Sequence, residues 1–440
     1  MTKILVIGAG RSATSLIEYL LQHAVKFNWQ LTVADMDIQL AKSKIGMHAQ
    51  AEAIGFDIQN KSQRQTVIQA HDFVISMLPA AMHGDVARDC VAYGKSMATA
   101  SYVSTDMQSL DAQAAEKGVL LLNECGLDPG LDHASAMQMI DHIHAQGGKI
   151  HTFKSYCGGL VAPKSNDNPW GYKFSWNPRN VVLAGQGTAQ FLENGQLKFI
   201  PYNRLFTQTD KISVKGYGEF DAYANRDSIG YREVYGLNHV QTMLRGTLRQ
   251  VGYCKAWQVF VQLGLTDDSS KISDANQMTY GGLVKSFLPV SDLPVKEQVK
   301  ALMGNLWDKD VAKKLDYLEI FGDKKITIKA GSPAQLLQAL LEEKWLLKAD
   351  DKDMVVMQHQ IYYADAGGKE CSSHAELVIE GKNQQHTAMA LTVGLPLAVC
   401  VKNYLTGVFN LSGVQIPTKA AIYEPMLREL ADLGIRFVES

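Results

Sequence analysis

The chain has 440 residues, 46% hydrophobic and 20% charged, with a formal net charge of -2; it can form two or three domains with real cores and is too apolar for a disordered chain. The near-neutral charge excludes bulk capture of nucleic acid or of an anionic membrane, and no stretch approaches the ~18 consecutive apolar residues of a membrane span. The apolar segment Ile4–Ile7 is too short for a secretory leader, and the six cysteines show neither CxxC nor metal-ligand spacing, so the expected setting is a cytoplasm with reduced thiols and no metal.

Lys3–Ile7 reads as a buried strand, and Gly8-Ala9-Gly10-Arg11-Ser12-Ala13 opens a helix with Leu16, Leu20 and Leu21 on its apolar face. Strand Gln30–Ala34 ends at Asp35 and is followed by a helix from Ile38 to about Ala53. Strand Phe73–Leu78, helix His83–Tyr93, strand Ser96–Ser101, a helix around Met107–Lys117 and strand Val119–Leu122 continue the alternation. Strands separated by helices of this length indicate α/β architecture, a doubly wound parallel sheet of Rossmann type.

Past residue 150 the texture changes to glycine, aromatic residues and short β-like runs (Ile150–Cys157, Lys211–Lys215, Glu219–Tyr223), the pattern of a mixed-sheet α+β domain. Val295–Leu306, Ala312–Ile320 and Pro333–Leu347 read as a helical insertion. Asp353–Ala364 and Ala375–Ile379 read as strands returning to the mixed sheet, and Thr387–Tyr404 and Ala421–Asp432 as closing helices. The expected division is 1–128 with 388–440 as a dinucleotide-binding domain, 129–290 with 350–387 as a substrate domain, and 291–349 as the insertion.

Gly8-x-Gly10-x-x-Ala13 stands between a strand and a helix, the context a dinucleotide fingerprint requires. Gly8 allows the tight turn, Gly10 lets backbone N–H groups reach a pyrophosphate at the positive end of the helix, and Ala13 keeps helix and sheet close. Asp35, at the tip of the second strand, suits a ribose 2′-OH and repels a 2′-phosphate, so NAD is expected ahead of NADP; Arg11, Lys42 and Lys44 could soften that preference. The expected cofactor contacts are Gly8, Gly10, Arg11, Ser12, Ala13, Asp35, Met36, Asp57, Met77, Leu78, Glu124 and Leu127.

Asn123-Glu-Cys-Gly-Leu-Asp-Pro-Gly-Leu-Asp-His133 follows an apolar run, at the end of a strand where open α/β sheets receive ligands. Asp-Pro-Gly is also an ordinary turn. Thr99-Ala100-Ser101-Tyr102 adds a hydroxyl and a phenol at the same edge. Ser155–Leu160 ends a strand with Cys157 and two glycines, and Asn225–Ser228 and Arg245–Arg249 read as two arginine-bearing loops. Guanidinium matches carboxylate bidentately, so two such segments in a near-neutral protein point to a substrate with several carboxylates. No histidine is placed for acid–base work; His133 at a helix start suits capping or packing.

Asn123–His133, Ser155–Leu160, Gly171–Trp176, Asn225–Ser228, Arg245–Arg249 and the ending Ile416–Lys419, Ile422–Pro425 and Gly434–Phe437 together resemble the glutamate-forming saccharopine dehydrogenase (saccharopine reductase) family. The resemblance covers essentially the whole chain. It implies oxidation of saccharopine by a nicotinamide dinucleotide to L-glutamate and 2-aminoadipate semialdehyde. It implies that Ser101, Tyr102, Asp128, Arg226, Thr247, Leu248 and Arg249 line the substrate site, with Cys157 beside it and Trp176 at the cofactor. Tyr102, Asp128 and Cys157 are the expected catalytic residues. Fungal members resemble NADP users with an arginine where this chain has Asp35. The competing readings are a related imine-forming dehydrogenase, of the lysine 6-dehydrogenase or carboxynorspermidine type, and a non-catalytic NAD-binding sensor. The expected partners are the small-molecule substrate and a second copy in a homodimer, with no nucleic acid and no membrane.

Overall fold

The computed structural model describes residues 1–440 and divides into two compact units: Met1–Lys149 with Asp365–Lys369 and Leu377–Ser440, and Ile150–Ala364 with Glu370–Glu376.

In the first unit the strands are β1 (Thr2–Ile7), β2 (Trp29–Asp35), β3 (Ala51–Gly55), β4 (Phe73–Ser76), β5 (Ser96–Thr99) and β6 (Leu120–Leu122). With the short strand Gly413–Gln415 they form one sheet in the order Gly413–Gln415, β6, β5, β4, β1, β2, β3. Every pair is parallel. β4, β5 and β6 are buried at every position, as strands covered by helices on both faces must be. The winding reverses between β1 and β4, the crevice where such sheets take a dinucleotide.

Two expectations are corrected here. The helix expected from Ile38 to Ala53 ends at Ile45, where Gly46 supplies a positive φ, and Ala51–Gly55 is a strand pairing with β2. The helix around Met107–Lys117 is two short ones, Thr105–Gln108 and Asp111–Glu116. The closing helix Ala388–Leu405 is long and apolar enough on composition to cross a membrane, although Lys402 and Asn403 interrupt any strict apolar run; most of it is buried within this unit.

The second unit is built on β7 (Lys149–Val161), β8 (Thr188–Glu193), β9 (Gln196–Pro201), β10 (Thr209–Val214), β11 (Gly218–Ala224), β12 (Thr242–Gln250), β13 (Asp353–Ala364) and β14 (Glu370–Glu380). The strand order is β10, β11, β12, β7, β13, β14. β12 runs antiparallel to β11 and parallel to β7, so the sheet is mixed. Helix Tyr253–Leu263 buries Tyr253, Trp257 and Phe260, at i, i+4 and i+7 on one face. These rings pack with Trp170, Tyr172 and Trp345; the Trp170–Trp345 centroids are 5.3 Å apart. Helices Val295–Met303, Lys309–Tyr317 and Pro333–Lys344 follow, the last opened by a capping box of Ser332 and Gln335.

Candidate active site

At the tip of β1, Gly8 has φ +103°, and a Cβ there would lie 2.9 Å from the Met77 carbonyl oxygen at the tip of β4. Glycine is therefore required twice over, by conformation and by close approach. Gly10 is exposed with nothing within 4 Å of a notional Cβ, and the helical turn it opens has no side-chain cap. Uncapped amides at a helix start, with open space before them, fit a pyrophosphate. Ala13 is buried. Asp35 accepts from Ala9 N–H at 2.7 Å and from Asp37 N–H at 2.9 Å, which fixes its carboxylate beside this turn. Met36 is 79% exposed just beyond it. Asp57 is exposed and accepts from Gln59 N–H in its own turn. Lys44 donates to Thr14 Oγ1 at 2.6 Å, and burial pulls its ammonium below the usual lysine range.

At the tips of β5 and β6 the same unit gathers the polar residues of the two motifs. The Tyr102 hydroxyl donates to Asp128 Oδ1 at 3.0 Å, with Tyr102 49% exposed. The turn carrying Asp128 is fixed from behind. Gly130 has φ +143°, and a Cβ on it would sit 2.3 Å from Gly126 N. Gly130 N–H donates to Asp132 Oδ1 at 2.6 Å. Glu124 is buried, accepting from Val103 N–H at 2.9 Å and sharing a 2.7 Å contact with His133 Nε2. Its side chain joins the Tyr102 segment to the Asp128 turn, and His133 is fully buried. Leu127 is buried in the same turn.

One histidine here escaped the sequence reading. His83, at the start of helix His83–Tyr93, lies 2.8 Å from Ser76 Oγ through Nδ1 and 2.8 Å from Ser101 Oγ through Nε2. Its signal was its place a few residues past the end of β4, the edge that holds Met77 and Leu78. A cavity of about 650 Å³ elsewhere in this unit, lined by Asp141, Tyr423, Arg428 and Arg436 among others, includes none of the candidate residues.

In the second unit the expected arginine loop Arg245–Arg249 is instead part of strand β12. The reason is pairing on both sides: Thr247 registers with Tyr223 on β11 and with Cys157 on β7. Residues in register share a face and alternate residues repeat it, so Cys157, Thr247 and Tyr223 form a row with Arg249 beside it. Arg249 is 4% exposed, and its Cζ lies 5.4, 5.7 and 5.5 Å from the ring centroids of Tyr172, Tyr223 and Tyr253. Burial pushes all three phenols up, so the cage is neutral. Nη1 donates to the Leu248 carbonyl at 2.9 Å, Nη2 reaches Tyr223 OH at 3.4 Å, and Nε has no hydrogen-bond partner. A buried guanidinium without a carboxylate and with an unused N–H is a ready anion receptor.

Around it, Thr247 Oγ1 donates to Asn225 Oδ1 at 2.5 Å, which fixes the segment carrying the exposed Arg226. Arg245, by contrast, is buried with its Cζ 4.0 Å from the Tyr231 ring. Trp176 donates from Nε1 to Tyr172 OH at 3.1 Å, beside the Arg249 cage and in the unit other than that of Gly8–Ala13.

Comparison with known proteins matches residues 4–122 to the saccharopine dehydrogenase NADP binding domain and residues 126–435 to the saccharopine dehydrogenase C-terminal domain. The chain is 33% identical to saccharopine dehydrogenase [NADP(+), L-glutamate-forming] of Schizosaccharomyces pombe, over 100% of this chain and 99% of that protein. It is 33% identical to the mitochondrial alpha-aminoadipic semialdehyde synthase of Bos taurus, over 99% of this chain and 47% of that longer protein. The apo structure of saccharopine dehydrogenase (L-Glu forming) from Saccharomyces cerevisiae superposes with a TM-score of 0.90 at 31% identity, covering 100% and 99% of the two chains.

Proposed function

The chain belongs to the saccharopine dehydrogenase family, and from that membership we propose that it oxidises saccharopine, with water and an oxidised nicotinamide dinucleotide, to L-glutamate and 2-aminoadipate 6-semialdehyde. The carrying observation is Arg249, a caged guanidinium with an unpartnered Nε, on the sheet face shared with Thr247 and Cys157. Saccharopine has three carboxylates, and such a receptor has no use for a plain diamine.

A bound nicotinamide would supply the acceptor for the hydride that leaves the carbon destined to become the aldehyde. Gly8, Gly10, Arg11, Ser12 and Ala13 would hold the pyrophosphate, Asp35 and Met36 the adenosine end with Asp57 nearby, and Met77, Leu78, Glu124, Leu127 and Trp176 the nicotinamide half. Asp35 supports NAD ahead of the NADP named for relatives, because a second anion beside its carboxylate is repelled.

The protein's own residues govern the rest. Oxidation needs the secondary amine unprotonated, the imine must add water, and the carbinolamine must lose a proton as it releases glutamate. Asp128, held by the Tyr102 hydroxyl, is the group we assign to these proton movements, with Tyr102 orienting it and the attacking water. Arg249 and Arg226 receive carboxylates, Thr247, Leu248 and Ser101 complete the contacts, and Cys157 shapes the site as a small buried thiol. We further assign residues 1–128 with 388–440 to the dinucleotide, 129–290 with 350–387 to substrate, and 291–349 to a helical insertion. We read the protein as a cytoplasmic homodimer, in keeping with cysteines that form no disulfide.

The test is cofactor reduction followed at 340 nm with saccharopine, lysine and a carboxylated polyamine, each with NAD and NADP. Saccharopine with NAD should be fastest. Turnover of lysine or the polyamine in preference to saccharopine sinks the proposal.

A further inference from the structure

The first unit holds a buried group that the mechanism leaves unused. His83 is 4% exposed and bridges the ends of two adjacent strands: Ser76 closes β4, and Ser101 stands two residues past β5. Burial pushes the imidazole down to about 4, and the helix start beneath it disfavours a cation as well. The ring is thus neutral at pH 7, with one nitrogen a donor and the other an acceptor.

Burial decides which. Ser76 has no exposed surface, and its hydroxyl has one hydrogen-bond partner, Nδ1 at 2.8 Å. If Nδ1 carried the proton, the Ser76 O–H would be buried without an acceptor, the more costly error. The opposing contact, Thr99 Oγ1 to Nε2, is weak at 3.4 Å. So Ser76 donates to Nδ1, and Nε2–H donates to Ser101 Oγ. Ser101 is only partly buried, and with its oxygen engaged from behind its proton is directed away from the imidazole.

We propose that His83 is a positioning residue for the dehydrogenation: fixed as the Nε2–H tautomer by Ser76, it holds the Ser101 hydroxyl so that its proton is donated to a carboxylate oxygen of the substrate. This rests on the reading of Ser101 as a substrate contact. His83 touches no reacting atom and transfers no proton in the cycle; its work is orientation.

The tautomer is read directly by long-range ¹H–¹⁵N spectra of the whole protein labelled at histidine, with His83→Gln identifying the signal. A protonated Nε2 is expected, and a protonated Nδ1 overturns the assignment. Steady-state kinetics with saccharopine then test the role. A glutamine amide can place an N–H near the Nε2 position, whereas the shorter asparagine reaches only the Ser76 side. His83→Gln should keep KM within about threefold, while His83→Asn should raise it about tenfold or more with a smaller change in kcat. A KM that His83→Asn leaves unchanged, or that both variants raise alike, overturns the positioning role. If the unsubstituted protein turns over no saccharopine, the functional reading fails and with it the ligand given to Ser101; the spectrum still decides the tautomer by itself.

Discussion

Replacing Arg249 by methionine should move stability and catalysis in different ways. The side chain volume is roughly kept, but the charge and the fork of donors go. In the folded protein that charge is poorly compensated: one carbonyl at 2.9 Å, one phenol at 3.4 Å and three ring faces at 5.4 to 5.7 Å. Cation–π contact contributes about 0.5–2 kcal/mol for a desolvated guanidinium, against a desolvation cost of several kcal/mol. The net loss on substitution should be no more than about 1 kcal/mol, and a gain is equally consistent with such a ledger. Catalysis should fall much further. A hydrogen bond to a charged group is worth about 1.5–3 kcal/mol, or about 10- to 150-fold in kcat/KM. Thermal melts and steady-state kinetics on the same preparations give both numbers. A variant that loses about 3 kcal/mol of stability or more while kcat/KM stays within about twofold would refute the reasoning, and would make Arg249 a structural cation.

Substituting Asp35 by serine should lower kcat/KM with NAD and raise it with NADP, moving their ratio by about tenfold or more, since the 2′-OH acceptor and the anion repulsion are both lost; an unchanged ratio removes Asp35 from the cofactor site. Gly130→Ala should cost several kcal/mol, because the new Cβ would meet Gly126 backbone at 2.3 Å in a conformation that alanine resists; a melting temperature equal to that of the parent would contradict the packing of the Asp128 turn. The pH dependence of stability follows from His83, whose folded value of about 4 lies below its ordinary 6.5. The unfolded chain takes the proton first, so stability present above about pH 6.5 is lost as pH falls toward 4, by about 3 kcal/mol from this group. His71, also pulled down by burial, acts in the same direction. Melts between pH 7.5 and 4.5 should show a shallower acid loss in His83→Gln, and equal slopes would rule the shift out.

Strand–helix alternation and the glycine turn were legible because local signals decide them: apolar runs fix the parallel strands, and Gly8 stands where the chain takes a positive φ at the tip of β1. Asp353–Ala364 matched in both bounds and Ala421–Asp432 to within a residue. What escaped was set by distant pairing. Arg245–Arg249 looked like a loop because glycine and two arginines weaken its β pattern, yet neighbours on both sides make it part of the central strand Thr242–Gln250. Ala51–Ala53 was absorbed into a helix because alanine and glutamate favour one, and only the edge of β2 makes Ala51–Gly55 a strand. The arginines were singled out by type, but the cage around Arg249 draws Tyr172, Tyr223 and Tyr253 from three separate segments that no spacing links. His83 shows no motif at all. Its meaning comes from two serines brought to either side of it by adjacent strands.

The central claim, that the guanidinium in the tyrosine cage receives a substrate carboxylate, is tested most directly by a crystal structure of the protein with saccharopine bound. A carboxylate oxygen within about 3 Å of Arg249 Nε is the result expected. Saccharopine well ordered elsewhere, with that Nε still unpartnered, would contradict it.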